Sequence, residues 1–94
     1  MPGNPDRGRR FLFAYDCGSC HVIPGIAEAD GTVGPPLGGV ANRSYIAGLL
    51  VNTQDNMSRW IRDPEQIEPG SAMPNLGVTA EQAEDIAAYL YTLH

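Results

Sequence analysis

The sequence predicts a small all-α domain, with a helix near each end and short helices and long loops between them. Three observations predict it. A chain of 94 residues buries only a limited share of the surface its unfolded form exposes. Its 43% hydrophobic residues are interspersed with 11 Gly and 8 Pro, too many breakers for continuous regular structure. Helix-start signals stand near both ends, at Asn4-Pro5 and at Thr79. Residues 1–94 read as one domain, with no internal repeat, linker or low-complexity segment. A core this thin needs a disulfide, a metal or a prosthetic group, and two cysteines are available for any of them.

Asn4 followed by Pro5 reads as a cap and first helical position, opening a helix through Phe11, Leu12 and Phe13 toward Tyr15. From Val22 to Asn42 the density of Gly and Pro predicts a long loop. Ser44 is placed to cap a short helix over Tyr45 to Leu50, and a second is expected from about Asp55 to Arg62, with Pro64 ending it. Pro64 to Val78 reads as a second loop. Thr79 and Gln82 then form a capping box, with Glu81, Glu84 and Asp85 suiting the positive end of the helix dipole. Ile86, Tyr89, Leu90 and Leu93 make an apolar stripe suited to crossing the first helix.

The net charge of −5 excludes a nucleic-acid partner, since phosphate-backbone binding rests on clustered cations. All cationic residues are arginine, so the chain lacks a flexible lysine ring for acidic partners. No stretch approaches the roughly 20 apolar residues needed to span a bilayer, and no charged-then-apolar signal precedes the domain. It reads as soluble. The abrupt Met1-Pro2-Gly3 start fits either a mature protein or a domain cut from a longer one.

Cys17-Gly18-Ser19-Cys20-His21 matches the C-x-x-C-H pattern of covalent heme attachment. Thiols at this spacing reach the two vinyl groups of one porphyrin, and the adjacent histidine then points its ring at the iron. Three duller readings compete. A redox dithiol wants the motif before a helix with a lowered thiol pKa, a structural zinc wants four ligands, and a plain disulfide leaves His21 without a purpose. Heme accounts for all three residues.

For the second axial position there are three methionines. Met1 is terminal, and Met57 suits the apolar face of a short helix as a gap filler. Met73 lies in Pro69-Gly70-Ser71-Ala72-Met73-Pro74, a loop with little other reason to hold a methionine. It is the favoured ligand, with Met57, His94 or an open site as alternatives.

With this motif, Gly34-Pro35-Pro36-Leu37, Arg43 and Met73 in order, the chain resembles class I c-type cytochromes, of bacterial type, over nearly its whole length. The resemblance implies a small cytochrome c fold in which crossing terminal helices and long loops wrap one covalent heme c. It implies that the Pro35 carbonyl accepts from the heme histidine, and that Arg43, eight residues on, approaches a heme propionate, with Tyr45 and Ser71 adding hydrogen bonds. Trp60 stands where mitochondrial-type members carry tyrosine and would pack on the porphyrin. The family usually has a glycine eight residues before the first cysteine. Here Gly8 lies nine before Cys17 and Arg9 holds the expected place.

The function so implied is one-electron transfer between redox protein partners, with His21 and Met73 on the iron and no substrate turned over. Val22, Ile23, Pro24 and Ile26 are candidates for an apolar contact patch near the attachment turn. The chain is expected to be a monomer in the periplasm, because heme attachment takes place outside the cytoplasm. Two alternatives stand beside this: a periplasm-facing domain of a membrane-bound respiratory complex, like the tail of some oxidase subunit II chains, and a ligand-binding or peroxidatic heme protein in which Met73 dissociates.

Overall fold

The computed structural model describes residues 3–94; Met1, set aside above as terminal, and Pro2 lie outside them. The elements run α1 (Pro5–Ala14), a 3-10 turn (Cys17–Ser19), a second such turn (Val40–Asn42), β1 (Tyr45–Ile46), β2 (Leu50–Val51), α2 (Gln54–Arg62), α3 (Pro64–Ile67) and α4 (Ala80–Leu90). Helices dominate, and the long segments 20–39 and 68–79 are loop, as the breakers predict.

Local chemistry sets the helix ends. The Asn4 side chain accepts from the backbone N–H groups of Asp6 and Arg7 at 2.9 and 3.1 Å, with Pro5 in the first turn. Thr79 and Gln82 close a reciprocal capping box at the start of α4. Thr53 caps α2 through the Asn56 N–H at 3.2 Å, which starts that helix at Gln54.

α1 and α4 cross at Gly8. An ideal Cβ there would lie 1.8 Å from the Asp85 carbonyl oxygen, so no side chain fits. The helix-crossing glycine is therefore Gly8 and not the residue at Arg9. The extra residue between it and the cysteines is absorbed at Asp16, which takes a left-handed conformation (φ 57°) between α1 and the Cys17–Ser19 turn. Asp85 departs from its expected place near the α4 N-terminus. It sits mid-helix and is 2% exposed, accepting from Asn4 N–H at 2.7 Å and Arg7 Nε at 3.1 Å. Its charge serves the start of α1, where a buried carboxylate finds both a cation and backbone donors.

Two further expectations are corrected. Residues 45–50 form no helix but a hairpin, with Tyr45 opposite Val51 and Ile46 opposite Leu50. Ala47 and Gly48 both have positive φ (52° and 72°), as a tight hairpin turn demands. A six-residue helix interrupted by Gly48 has little to stabilise it, whereas the hairpin buries Ile46 in the core. Pro64 does not merely end α2. It opens α3 as its first residue, with the Asp63 side chain accepting from Gln66 N–H at 3.2 Å. The core joins Leu12 of α1, Met57 and Ile61 of α2, and Ile86, Ala87 and Leu90 of α4 with Val40 of the second 3-10 turn and Ile23 and Val78 from the loops.

Candidate heme site

The attachment turn is built by its neighbours. Tyr15 closes α1, and the 3-10 turn brings Cys17 and Cys20 into one bend, with Cys20 N–H and His21 N–H both donating to the Cys17 carbonyl at 3.2 and 3.1 Å. Gly31 N–H donates to Gly18 O at 3.0 Å and Gly34 N–H to Cys20 O at 2.7 Å, so residues 31–34 lie along this bend. Cys17 and Cys20 are half-buried and unbridged. Burial, and then the Asp16 carboxylate, push the Cys17 thiol pKa up. That is the opposite of what a redox dithiol needs. Among the described residues, no three His, Cys, Asp or Glu side chains gather as a metal cluster.

His21 is half-buried, and its Nδ1 lies 2.8 Å from the Pro35 carbonyl oxygen. A carbonyl only accepts, so Nδ1 is the donor in this contact, and Nε2 is the ring nitrogen left to face a metal. The ring is also held sterically. A Cβ on Gly34 would lie 2.3 Å from His21 Cε1 and 2.7 Å from Nδ1. Gly34 enters the sequence reading only as part of the Gly34-Pro35-Pro36-Leu37 segment that carries the resemblance; the structure adds its close approach to the His21 ring.

The other predicted residues fall as follows. Trp60 is half-buried on α2 and packs against the core cluster. Ser71 is half-buried, and its Oγ accepts from Met73 N–H at 3.2 Å, so it shapes the loop holding the half-buried Met73. Met57 is 4% exposed within the core, in the gap-filling role expected of it. Arg43 is exposed and donates through Nη2 to the Pro36 carbonyl. Tyr45 is exposed on β1. His94 sits beside Asn42, with Nδ1 and Oδ1 3.4 Å apart. Ile23 is 2% exposed and belongs to the core, so it drops out of the proposed contact patch, whereas Val33 on the segment beside Cys20 is 72% exposed.

The donor set fits a covalently bound heme c: two free thiols in one bend, an imidazole with Nε2 available, and a thioether on a positioned loop. A small, largely helical fold with that set defines a c-type heme protein. The family comparison agrees: residues 5–94 match the cytochrome c model, and the chain belongs to the cytochrome c family. As a member of that family it carries covalently attached heme c.

Among its relatives is cytochrome c oxidase subunit 2 of Alkalihalophilus pseudofirmus, 34% identical over 89 residues, covering 94% of this chain and 25% of that protein. The chain thus spans about a quarter of the oxidase subunits it matches. Cytochrome c2 of Rhodopila globiformis is 33% identical over 105 residues, covering 98% of this chain and 95% of that one. In fold, the chain resembles SoxXA from P. pantotrophus (TM-score 0.76, 24% identity, 99% of this chain and 83% of that chain). It also resembles cytochrome c2 from Rhodobacter sphaeroides (TM-score 0.66, 19% identity, 97% and 96%).

Proposed function

We propose that this chain carries single electrons outside the cytoplasm, in a respiratory chain, with His21 and Met73 as the axial ligands of its heme iron and Cys17 and Cys20 as its thioether anchors. The observation that carries the reading is the 2.8 Å contact between His21 Nδ1 and Pro35 O. It commits one ring nitrogen to the protein, fixes the ring's orientation and leaves the other nitrogen for the metal. Bound heme supplies the one-electron redox centre. The chain's own residues hold it in place and tune it: Gly34 and Pro35 position the histidine, Ser71 positions the Met73 backbone, and Trp60 offers an apolar face. Arg43, Tyr45 and Ser71 are the candidates to hydrogen-bond its propionates, the guanidinium of Arg43 keeping further donors beyond the one it gives Pro36.

Replacing Met73 with alanine tests the ligand set. Loss of a thioether lowers the reduction potential. The variant is expected to keep its covalent heme, lose the far-red charge-transfer band of ferric iron bound by methionine, and bind added small ligands. An unchanged potential and band would refute the assignment, and added-ligand binding by the unaltered protein would favour the peroxidatic alternative.

The oxidase subunit 2 relatives favour a second setting, in which this unit belongs to a membrane-bound respiratory complex. No helix of the described residues is long and apolar enough to cross a membrane. Fractionation of the native cells separates the two settings: release by osmotic shock marks a free periplasmic carrier, and sedimentation with membranes marks an anchored one.

A further inference from the structure

The C-terminal end of α4 is linked by hydrogen bonds to the loop that holds the heme histidine. Tyr91, which closes α4, donates its phenol to Asn52 Oδ1. The Asn52 amide nitrogen donates to Val40 O at 2.9 Å and to Arg43 O at 2.7 Å. Those two carbonyls require the NH2 end of the amide, so its oxygen is the end that faces Tyr91. The same turn is tied to the tail a second time, through Ala41 N–H to Leu93 O at 3.0 Å. Arg43 then reaches back to the Pro36 carbonyl, and the preceding carbonyl, that of Pro35, accepts from His21 Nδ1. Between those two carbonyls stands the Pro36 ring, whose φ is locked. Holding the Pro36 carbonyl therefore restricts the peptide plane that carries the Pro35 carbonyl.

We propose that Tyr91 and Asn52 are positioning residues for the heme histidine: by fixing the backbone of Arg43, they fix the carbonyl that orients His21. This rests on the reading of His21 as an iron ligand. Its consequence is that the tail of α4, remote in sequence from the attachment motif, sets how firmly the ring N–H is held. A firmer N–H···O bond makes the imidazole a stronger donor to the metal and lowers the potential.

The test uses the heme-loaded protein, with Tyr91→Phe as the perturbation and Tyr89→Phe as the comparison. Tyr89 also donates its phenol from α4 to a loop carbonyl, Pro24 O at 2.6 Å, but lies off this path. Hydrogen exchange of the His21 ring N–H, followed by NMR in the ferrous state, and the midpoint potential are the two readouts. Tyr91→Phe is expected to speed the exchange about fivefold or more and to raise the potential. Asn52→Ala moves both further in the same direction, and Tyr89→Phe leaves both near the unaltered values. Equal effects from the two tyrosine variants, or no effect from Tyr91→Phe, overturn the proposal. Unaltered protein that holds heme without a histidine-bound iron overturns the underlying ligand assignment instead.

Discussion

Replacing Gly8 with alanine sets two physical effects against each other, and the crossing of α1 and α4 decides the sign. Gly8 lies within α1, where alanine is preferred over glycine by about 1 kcal/mol. Helix propensity alone therefore predicts a more stable protein. The crossing predicts the reverse, because the added Cβ would lie 1.8 Å from Asp85 O, 2.4 Å from its carbonyl carbon and 2.9 Å from Ile86 Cα. All three are backbone atoms that no rotamer change can move. An ordinary contact sits near 3.5 Å, so the helices must part by roughly 1.5 Å at this point. Overpacking of that kind costs about 1–3 kcal/mol. The same movement strains the bonds from Asn4 and Arg7 to the buried Asp85 carboxylate, and hydrogen bonds to charged groups contribute about 1.5–3 kcal/mol each. The net expectation is a loss of about 2 kcal/mol, a fall in Tm of about 10 °C for a domain of this size. Thermal unfolding of the heme-loaded protein, followed by far-UV circular dichroism, measures it. An unchanged or raised Tm would mean that the helices do not meet at Gly8, and the reasoning would fail.

Three further expectations follow from the same structure. Gly34→Ala places a methyl group against the His21 ring and separates the ring from Pro35 O; covalent heme is retained, the potential rises, and an unaltered potential would show that the contact is not tight. Burial raises the Tyr91 pKa in the folded chain above its unfolded value of about 10. The neutral phenol's contribution to stability is therefore complete below about pH 10 and is lost as pH rises through the folded value; Tyr91→Phe should flatten that alkaline decline, which urea titrations between pH 9 and 12 would detect. Asp85→Asn leaves Arg7 without its carboxylate partner and should lower stability by more than about 1 kcal/mol, measured by denaturant unfolding.

How far the sequence disclosed the fold depended on how local the determining chemistry was. The caps at Asn4 and Thr79 act within one helical turn, and the helices begin where those residues predict. The hairpin at residues 45–51 was hidden because it rests on a left-handed Ala47, a conformation that side-chain type does not announce. Asp85 reads as a helix-dipole residue until the crossing helix is known, since its partners Asn4 and Arg7 lie about 80 residues away in sequence. The glycine offset before Cys17 was visible as a count. Its resolution at Asp16 required the backbone itself. At the candidate site, Cys17, Cys20 and His21 announce themselves by adjacency, and Pro35 by resemblance. Asn52 and Tyr91 depend on contacts across the fold and carry no local signature, and Gly34 is marked only by its place before Pro35.

The most direct measurement is the intact mass and visible spectrum of the protein made with a working heme-attachment system, beside a Cys17→Ala, Cys20→Ala double variant. The account predicts a coloured protein at the chain mass plus one heme, with the addition surviving denaturation and absent from the variant. A colourless product at the bare polypeptide mass, or heme that denaturation releases, would contradict it.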